Sequence, residues 1–529
     1  MTLSRFPVES FDVCAQILHT ALYCSCRVNR GLHVFEAVEV GRSLDKQTYK
    51  KVEPELHYRL LSLQQSLRES DRSVVIIVSG VEGAGKGEVV DCLNRWFDTR
   101  DVTTFAFFDE TDEERERPRF WRFWRALPAR GSIGVLFGSW YTQPIVDHAF
   151  RKITDSEFDR ELTHIRDLEQ TLQRDGCIIV KLWFHLSSDD QQKRLAQDGT
   201  SSKFKKSPLL EEYAASYEQF AQTSARAIRL TDTGVAPWHL IEAADRRYRD
   251  ITAGRILVDA LESALAASPQ EANQSTAGDP LLTDASSPLT VLDRVDLTQQ
   301  LSEKEYDRQL EKLQRRLHEL AWEMHHQRKN AVLVFEGWDA GGKGSAIRRV
   351  TSAIDARLYR VIPVAAPTDE EKAHHYLWRL WRHIPRGGYM TIYDRSWYGR
   401  VLVERVEGFA DRHVWLRSYQ EINNFEEQLC DDGAAVLKFW IHISPEEQLA
   451  RFEARQQDPR KKHKITDEDW RNRDKWDDYK LAVNDMVAHT STEKAPWTLV
   501  AGNDKKFARI QILRTITERL DGLLDSSST

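Results

Sequence analysis

The stretch that decides the fold lies at residues 331–345 and reads AVLVFEGWDAGGKGS. Its start, Ala331–Phe335, is uniformly apolar, which is typical of a strand buried on both faces of a parallel sheet. The rest fits the pattern GxxxxGK, in which glycines let backbone N–H groups face a phosphate and the following helix N-terminus adds partial positive charge. This order of strand, glycine loop and helix predicts an α/β domain with a phosphate-binding loop.

The loop supplies the first candidate site residues. Lys343 brings a full positive charge to a transferring phosphate, and the residue after it is glycine where serine or threonine is usual. The GKGS variant resembles nucleoside monophosphate kinases and favours a small phosphate acceptor. A glycine turn that only packs a helix on a strand is the alternative, but it leaves the lysine unexplained. The expected phosphate-binding residues are Gly337, Gly341, Gly342, Lys343, Gly344 and Ser345.

An internal repeat organises the chain. Three motifs recur at an offset of 257 residues: GVEGAGKG at Gly80 and GWDAGGKG at Gly337, FWRFWRALP at Phe120 and LWRLWRHIP at Leu377, and SWY at Ser139 and Ser396. Two copies of one domain explain this pattern. Residues 268–288 are rich in Ser, Pro, Gly and acidic residues, so they cannot bury much apolar surface and predict a linker.

These features predict a first copy at residues 34–267, the linker at 268–288 and a second copy at 289–525. Residues 1–33 show no clear periodicity, and we expect a disordered extension or one that arises from an upstream start codon. Further strands are predicted at Val361–Ala365, Met390–Tyr393, Val436–Ile443 and Trp497–Val500, and Ser302–Glu305 predicts a capped helix start. The expected fold is α/β, with tandem P-loop kinase-like domains, each a mostly parallel sheet flanked by helices and carrying a helical lid.

The bulk properties narrow the class of protein. The chain has 529 residues, a net charge of −7 and six cysteines, and its length exceeds that of a single core. The cysteines show neither disulfide nor zinc spacing, and no apolar run reaches the ~18 residues that cross a bilayer. We therefore expect a cytoplasmic protein with no membrane partner. Because the net charge is negative, binding a polyanion requires a local concentration of positive charge.

A second motif, YDRSWYGR at residues 393–400, follows a short apolar run. Its Asp394 is expected at the carboxyl end of a strand, where ligands bind in parallel sheets, and a carboxylate there can hold Mg²⁺. Arg395 and Arg400 are suited to neutralising charge on a transferred phosphoryl group. The alternative is an Asp–Arg pair on the surface.

A basic cluster, RKKHK at residues 460–464, lies between two stretches of helical pattern and predicts a lid that closes on phosphates. A solvated pair of helices is the alternative. Nucleic acid is not an expected partner, because the chain shows no aromatic–basic stacking platform and no helix-turn-helix signature. Trp378 and Trp381 are expected in the core, although their arginine neighbours could face the cleft. The candidate lid residues are Arg455, Lys461, Lys462 and Lys464.

Together these residues resemble the polyphosphate kinase type 2 family. The resemblance rests on GWDAGGKG, APTDEE, LWRLWRHIP, YDRSWYGR, DP-x-K-x-H-K, TSTEKAPW and NDKK, and it covers nearly all of the second copy. It implies Mg²⁺-dependent transfer of the terminal phosphate of inorganic polyphosphate to a nucleotide. Two fused copies resemble the AMP-phosphorylating class, which forms ADP, so polyphosphate and an adenine nucleotide are the expected partners.

The family also implies roles for matching positions. Lys343 and the loop amides hold the moving phosphate. Asp339 orients the acceptor phosphate and, with Asp394, binds Mg²⁺. Arg395, Arg400 and the basic residues of the lid grip the polyphosphate chain. The expected catalytic residues are thus Asp339, Lys343, Asp394, Arg395 and Arg400.

The first copy departs from the family pattern where the chemistry is expected, although it keeps Lys86. Positioning and charge supply most of this kind of catalysis, so we expect an inactive copy, kept for structure, for dimer-like packing or for weak phosphate binding. The replacements are Glu82 for Asp339, Glu88 for Ser345, Phe137 for Asp394, Gly138 for Arg395 and Gln143 for Arg400.

Three rival functions stay open at this point. The acceptor could be ADP or GDP, or the enzyme could be an ATP-dependent monophosphate kinase, although no adenine site for ATP is visible in the sequence. A non-catalytic phosphate-binding scaffold is the third rival, and the intact motifs of the second copy disfavour it. Base preference, reaction direction and oligomeric state beyond a pseudo-dimer within one chain are also open.

Overall fold

The computed structural model describes residues 34–201, 216–267, 290–460 and 465–525. The N-terminal extension, the linker and the lid residues Lys461, Lys462 and Lys464 therefore lie outside the described residues. Within the described ranges, no helix combines the length and apolarity needed to cross a bilayer.

Each copy alternates strands with helices, as predicted. The elements of the first copy are α1 Lys46–Arg68, β1 Ser73–Gly80, α2 Lys86–Trp96, β2 Val102–Ala106, α3 Asp112–Arg115, α4 Trp121–Arg125, β3 Ile133–Phe137, α5 Thr142–Ala149, α6 Asp155–Arg174, β4 Cys177–His185, α7 Ser188–Ser201, α8 Tyr217–Thr231, β5 Trp238–Glu242 and α9 Arg246–Ala266. Those of the second are α10 Glu303–His326, β6 Ala331–Gly337, α11 Lys343–Thr351, β7 Tyr359–Pro363, α12 Asp369–Lys372, α13 Trp378–Trp381, β8 Met390–Asp394, α14 Val403–Val406, α15 Arg412–Asp431, β9 Ala435–His442, α16 Pro445–Gln457, α17 Asp467–Asp474, α18 Trp476–Thr490, β10 Trp497–Ala501 and α19 Lys505–Asp525.

Each copy contains one parallel sheet with the loop-bearing strand at its centre. The strand orders are β2-β3-β1-β4-β5 and β7-β8-β6-β9-β10, so the two sheets have the same topology. Every described strand pair is parallel. The predicted strands of the second copy are confirmed, with ends shifted by one or two residues. In such sheets the carboxyl ends of the central strands form the ligand-binding edge.

The amphipathic helix predicted to open the second copy is also present. Ser302 caps α10 by accepting a hydrogen bond from the Glu305 N–H, which is one half of the expected capping box. Leu317, Leu320 and Met324 are buried on one face of α10, at the spacing typical of an amphipathic helix. Trp378 and Trp381 are buried as well, which confirms their assignment to the core.

The repeated SWY and K-x-W-x-H motifs build a buried ion-pair network. Lys438 Nζ lies 2.7 Å from the Glu426 carboxylate and donates to the Tyr398 hydroxyl (2.9 Å) and the Thr490 carbonyl (2.6 Å). Trp397 Nε1 and the Tyr398 hydroxyl both donate to the same carboxylate. The first copy repeats the network around Lys181. A buried charge is costly unless it is paired and hydrogen-bonded, so these side chains stabilise the interior of both copies in the same way.

The two copies pack against each other around the repeated W-R-x-W motifs. Trp124 of α4 stacks on Trp381 of α13, with ring centroids 5.8 Å apart. The Arg130 N–H donates to the Ala373 carbonyl (2.8 Å), and the Gly387 N–H donates to the Glu116 carbonyl (2.9 Å). These two bonds join residues related by the 257-residue offset, so the interface has an internal pseudo-twofold symmetry.

Candidate active site

The glycine loop that the sequence predicts to bind phosphate joins β6 to α11, and two of its glycines have positive φ angles. Gly337 has φ +150°, and a Cβ there would lie 2.7 Å from the Ile441 carbonyl oxygen on β9. Gly342, with φ +119°, precedes the first residue of α11, Lys343. Both backbone conformations are unfavourable for residues other than glycine. The Lys343 ammonium donates to the carbonyl oxygens of Gly337 (2.5 Å) and Trp338 (3.3 Å). Among the described residues no carboxylate forms an ion pair with it.

Asp339, in the middle of the loop, is held from three directions. Its Oδ1 accepts from Arg395 Nη2 (3.3 Å), and its Oδ2 accepts from Asn472 Nδ2 (2.9 Å). The side-chain oxygen of Asn472 in turn accepts from the Tyr479 hydroxyl (3.3 Å). Gln448 Nε2 donates to the Asp339 carbonyl (3.1 Å). Sequence reasoning missed Asn472 and Tyr479, which lie on α17 and α18, because no motif points to them.

Asp394 ends β8 beside the loop-bearing strand, where the sequence placed it. It pairs with Phe335 of β6 in the sheet register. The next residue, Arg395, has φ +62°, a left-handed conformation that is uncommon outside glycine, while its N–H donates to the Phe335 carbonyl (3.1 Å). The turn brings the Arg395 guanidinium to Asp339. Backbone conformations of this kind cluster at functional sites.

Glu336 is a buried carboxylate that the sequence analysis did not select. It precedes the loop on β6, is 5% exposed and accepts a hydrogen bond from the Ser396 hydroxyl (2.8 Å). Burial raises its pKa, and the Asp394 carboxylate adds to this effect, while Lys343 opposes it. Comparing the two copies in the sequence could have revealed Glu336, because the first copy carries Ser79 at the equivalent position. A carboxylate here therefore distinguishes the second copy from the first.

An open cleft lies beside the loop, and Asp394 is not among its described lining residues. Its polar lining includes Glu336, Asp339, Lys343, Arg395 and Asn472, and its apolar lining includes Leu402, Val403, Trp440 and Tyr479. Ligand sites commonly combine an apolar wall with a few convergent polar groups.

Arg400 does not line this cleft. Its Nη1 pairs with Glu404 (2.9 Å), and its guanidinium lies 4.5 Å from the centre of the Tyr376 ring. The neighbouring residues Gly399 and Leu402 do form part of the wall. The arginines beside the core tryptophans are also absent from the described lining of the cleft. One of them, Arg379, donates a hydrogen bond to the Ala365 carbonyl.

The basic stretch on α16 has a structural part as well as an exposed one. Arg451 is buried and donates to two carbonyl oxygens of the phosphate loop and to two just before α19, at 2.7–3.0 Å. Arg455 lies one turn later on the same helix. Burial, followed by the positive charges of Arg451, Arg509 and Arg455, lowers the pKa of Lys505. A basic surface therefore adjoins the loop on α16 and α19.

Asp339 and Asp394 are the candidate Mg²⁺ ligands. In the part of the chain that the structure describes, no group of three or more His, Cys, Asp or Glu side chains forms a ready metal site. Mg²⁺ at phosphoryl-transfer sites is usually held by one or two carboxylates together with substrate phosphates and water, rather than by a protein cage. A pair of carboxylates on the loop and on the adjacent strand end fits that mode.

The equivalent loop of the first copy is neutralised by its own side chains. Glu82 forms an ion pair with Lys86 (2.6 Å), and Glu88 forms one with Arg249 (2.8 Å). The Arg249 guanidinium packs so closely on Gly85 that a Cβ there would lie 1.7 Å from its Nη1. The β3 end carries Phe137, in the same register as Asp394 of the second copy. This loop therefore presents paired charges where the second loop presents an ammonium without a carboxylate partner.

Comparison with known proteins identifies the two halves of the chain with one family. The family model for polyphosphate kinase 2 (PPK2) matches residues 43–269 and again residues 300–526. A solved structure of polyphosphate kinase 2 from Pseudomonas aeruginosa superposes with a TM-score of 0.83 at 45% identity, covering 93% of this chain and 99% of that one.

Curated relatives show the same two-copy length. The chain is 47% identical over 491 residues to the polyphosphate:AMP phosphotransferase of Pseudomonas aeruginosa, covering 92% of this chain and 99% of that protein. It is 37% identical to the polyphosphate:AMP phosphotransferase of Acinetobacter johnsonii, covering 88% of this chain and 94% of that protein. A GDP-polyphosphate phosphotransferase of Mycolicibacterium smegmatis is 39% identical over 218 residues, which is 41% of this chain and 77% of that protein.

Proposed function

The chain belongs to the polyphosphate kinase 2 family, and we infer that it transfers the terminal phosphate of inorganic polyphosphate to AMP, giving ADP. One observation carries this conclusion: the two-copy architecture is shared along 99% of a relative named polyphosphate:AMP phosphotransferase. The relatives named for diphosphate acceptors match only 41–42% of the chain. Phosphorylation of ADP or GDP is therefore the second candidate.

The second copy is proposed to perform the transfer. A phosphate oxygen of AMP attacks the terminal phosphorus of the chain in line, the bond to the bridging oxygen breaks, and a chain one phosphate shorter leaves. The loop residues from Gly337 to Ser345 cradle the phosphate, while Lys343 and Arg395 offset its charge. Mg²⁺, when bound, would neutralise charge shared between donor and acceptor, with Asp339 and Asp394 as its protein ligands.

The polyphosphate chain is proposed to lie along the basic surface beside the loop. Arg455 and, outside the described residues, Lys461, Lys462 and Lys464 would bind successive phosphates. Arg400 would contribute to this surface through its positive charge, although its present partners are Glu404 and Tyr376. Affinity for the chain should then fall as salt rises, because bound phosphates release counterions. An affinity that stays constant between 50 mM and 500 mM salt, roughly, would exclude this binding mode.

The first copy is proposed to be catalytically inactive and to act as a structural partner. Its loop charges are paired internally, and its strand end lacks a metal carboxylate. The stacking of Trp124 on Trp381 supports dimer-like packing as its role.

We also propose a cytoplasmic location, since the described cysteines, Cys92, Cys177 and Cys430, are free thiols, as is usual in a reducing compartment.

The test uses purified protein and Mg²⁺ with AMP and either polyphosphate or ATP, followed by chromatography of the nucleotides. A parallel reaction contains ADP and polyphosphate. ADP formed from AMP only in the presence of polyphosphate, with little ATP in the parallel reaction, supports the proposal. ATP formed mainly from ADP supports the diphosphate acceptor, and turnover only with ATP as donor rejects polyphosphate as the substrate.

A further inference from the structure

We propose that Asn472 is a positioning residue which, together with Arg395, holds the Asp339 carboxylate away from Lys343. The proposal rests on the function proposed above, which assigns Asp339 and Lys343 to the transfer reaction. The proposal adds that the reaction requires the Asp339 carboxylate and the Lys343 ammonium to remain unpaired with each other. Both groups are then available to substrate and metal.

The first observation is the fixed orientation of the Asn472 amide. Its oxygen accepts from the Tyr479 hydroxyl at 3.3 Å, and its Nδ2 lies 2.9 Å from Asp339 Oδ2. The Asp339 carboxylate can only accept a hydrogen bond, whereas the Tyr479 hydroxyl can donate one to the amide oxygen. The amide N–H group is therefore the part that faces the carboxylate, and the opposite rotamer would place two acceptors together.

The second observation comes from the other copy of the same loop in the same chain. There Glu82 stands at the position of Asp339 and forms a 2.6 Å ion pair with Lys86. Glu82 has no counterpart of Arg395, because Gly138 occupies that position. In the second copy the described partners of Lys343 are backbone carbonyls, and the loop carboxylate is turned towards Arg395 and Asn472. The two loops thus show the paired and the separated arrangement side by side.

The physical consequence of losing Asn472 follows from this contrast. Without its second donor the Asp339 carboxylate is held by Arg395 alone and can rotate towards Lys343, four residues later on the loop. In the first copy the longer glutamate at this position does pair with its lysine. That ion pair would neutralise the charge which Lys343 offers to the phosphate. Substrate binding at the remote basic surface would not be affected.

The experiment replaces Asn472 by aspartate, which keeps the shape but exchanges the donor for a charged acceptor. We expect Asn472→Asp to lower kcat for ADP formation about 10- to 100-fold, as for other hydrogen bonds to charged groups, with the KM for polyphosphate unchanged within about twofold. Tyr479→Phe, which only frees the Asn472 amide, should lower kcat by about two- to fivefold. Arg471→Gln is the matched control, because it makes the same change in charge on the same helix at a residue that pairs with Glu407 rather than Asp339, and Glu407 keeps Lys475 as a partner.

A double-mutant cycle separates positioning from a merely structural effect. If Asn472 acts through Asp339, the effect of Asn472→Asp should shrink to within about twofold when Asp339→Asn is already present. An equal loss in both backgrounds, an unchanged kcat for Asn472→Asp, or an equal loss for Arg471→Gln would overturn the inference. A kcat for Asp339→Asn alone within twofold of the parent would instead reject the role proposed for Asp339. Thermal unfolding of each variant confirms that the fold is retained.

Discussion

Replacing the loop lysine in one copy and then in the other gives the most direct test of which copy is active. Lys343→Met and Lys86→Met are the same chemical change at equivalent positions, 257 residues apart. Methionine keeps the length of the side chain and removes its charge. The two lysines differ in one respect that the structure shows: Lys86 is paired with Glu82, whereas Lys343 donates to backbone carbonyls alone.

The expected magnitudes follow from these contacts. An ammonium at about 4 Å from a phosphate oxygen gains roughly 4 kcal/mol at an effective dielectric constant of about 20. Removing one preorganised donor from a transition state usually costs about 10²- to 10³-fold in kcat. We therefore expect Lys343→Met to lower kcat at least about a hundredfold. The Lys86–Glu82 pair is partly exposed, so Lys86→Met should change the free energy of unfolding by less than about 1 kcal/mol and kcat by less than about twofold.

The assay measures ADP formed from AMP and polyphosphate at saturating concentrations of both, with thermal unfolding as the control for folding. The reasoning fails for the second copy if Lys343→Met keeps more than half of the parent rate. It fails for the first copy if Lys86→Met loses as much activity as Lys343→Met, since both loops would then take part in the transfer.

Three further predictions concern buried groups. Lys438→Met should lower the free energy of unfolding by about 3–5 kcal/mol in chemical denaturation, because it leaves the Glu426 carboxylate buried without its cation, and a loss below 1 kcal/mol would contradict this. Burial lowers the pKa of His442 to about 4, and its neutral Nδ1 accepts from Trp338 Nε1 (3.0 Å). The unfolded chain therefore binds more protons between pH 6.5 and 4, so the free energy of unfolding should fall as pH drops through this range, by up to about 1.4 kcal/mol per pH unit; denaturation at several pH values should show a weaker dependence for His442→Gln. Glu336→Gln, which keeps the hydrogen-bonding shape but removes a charge at the base of the cleft, should lower kcat about tenfold or more while the melting temperature stays constant or rises, and an unchanged kcat would place Glu336 outside the reaction.

Much of the fold could be predicted because it is written in short-range patterns. The run Ala331–Phe335 forms the central strand β6, and the glycine loop follows it as the GxxxxGK spacing required. The repeat predicted two copies, and both sheets have the same strand order. The Ser302–Glu305 pattern predicted the start of α10 and its cap. These features depend on neighbours along the chain, so a sequence alone carries them.

The site was predicted only in part, for a physical reason that particular residues illustrate. Asp339, Lys343 and Arg395 lie in recognisable motifs and meet at one cleft. Asn472 lies 133 residues from its partner Asp339, and no spacing rule links them. Arg400 shares a motif with Arg395, yet its guanidinium stacks on Tyr376 outside the cleft lining.

The sequence by itself predicted two copies of a parallel α/β domain, and it showed that the second copy carries the motif residues proposed for phosphate transfer while the first has Phe137, Gly138 and Gln143 at three of those positions. The tertiary structure alone decided which charges are paired. It showed Lys86 neutralised by Glu82, Glu336 buried beneath the loop, and Asp339 turned away from Lys343. The reason is that the free energy of a charge depends on its burial and on the donors and acceptors within about 4 Å, and packing brings those groups together from distant parts of the chain.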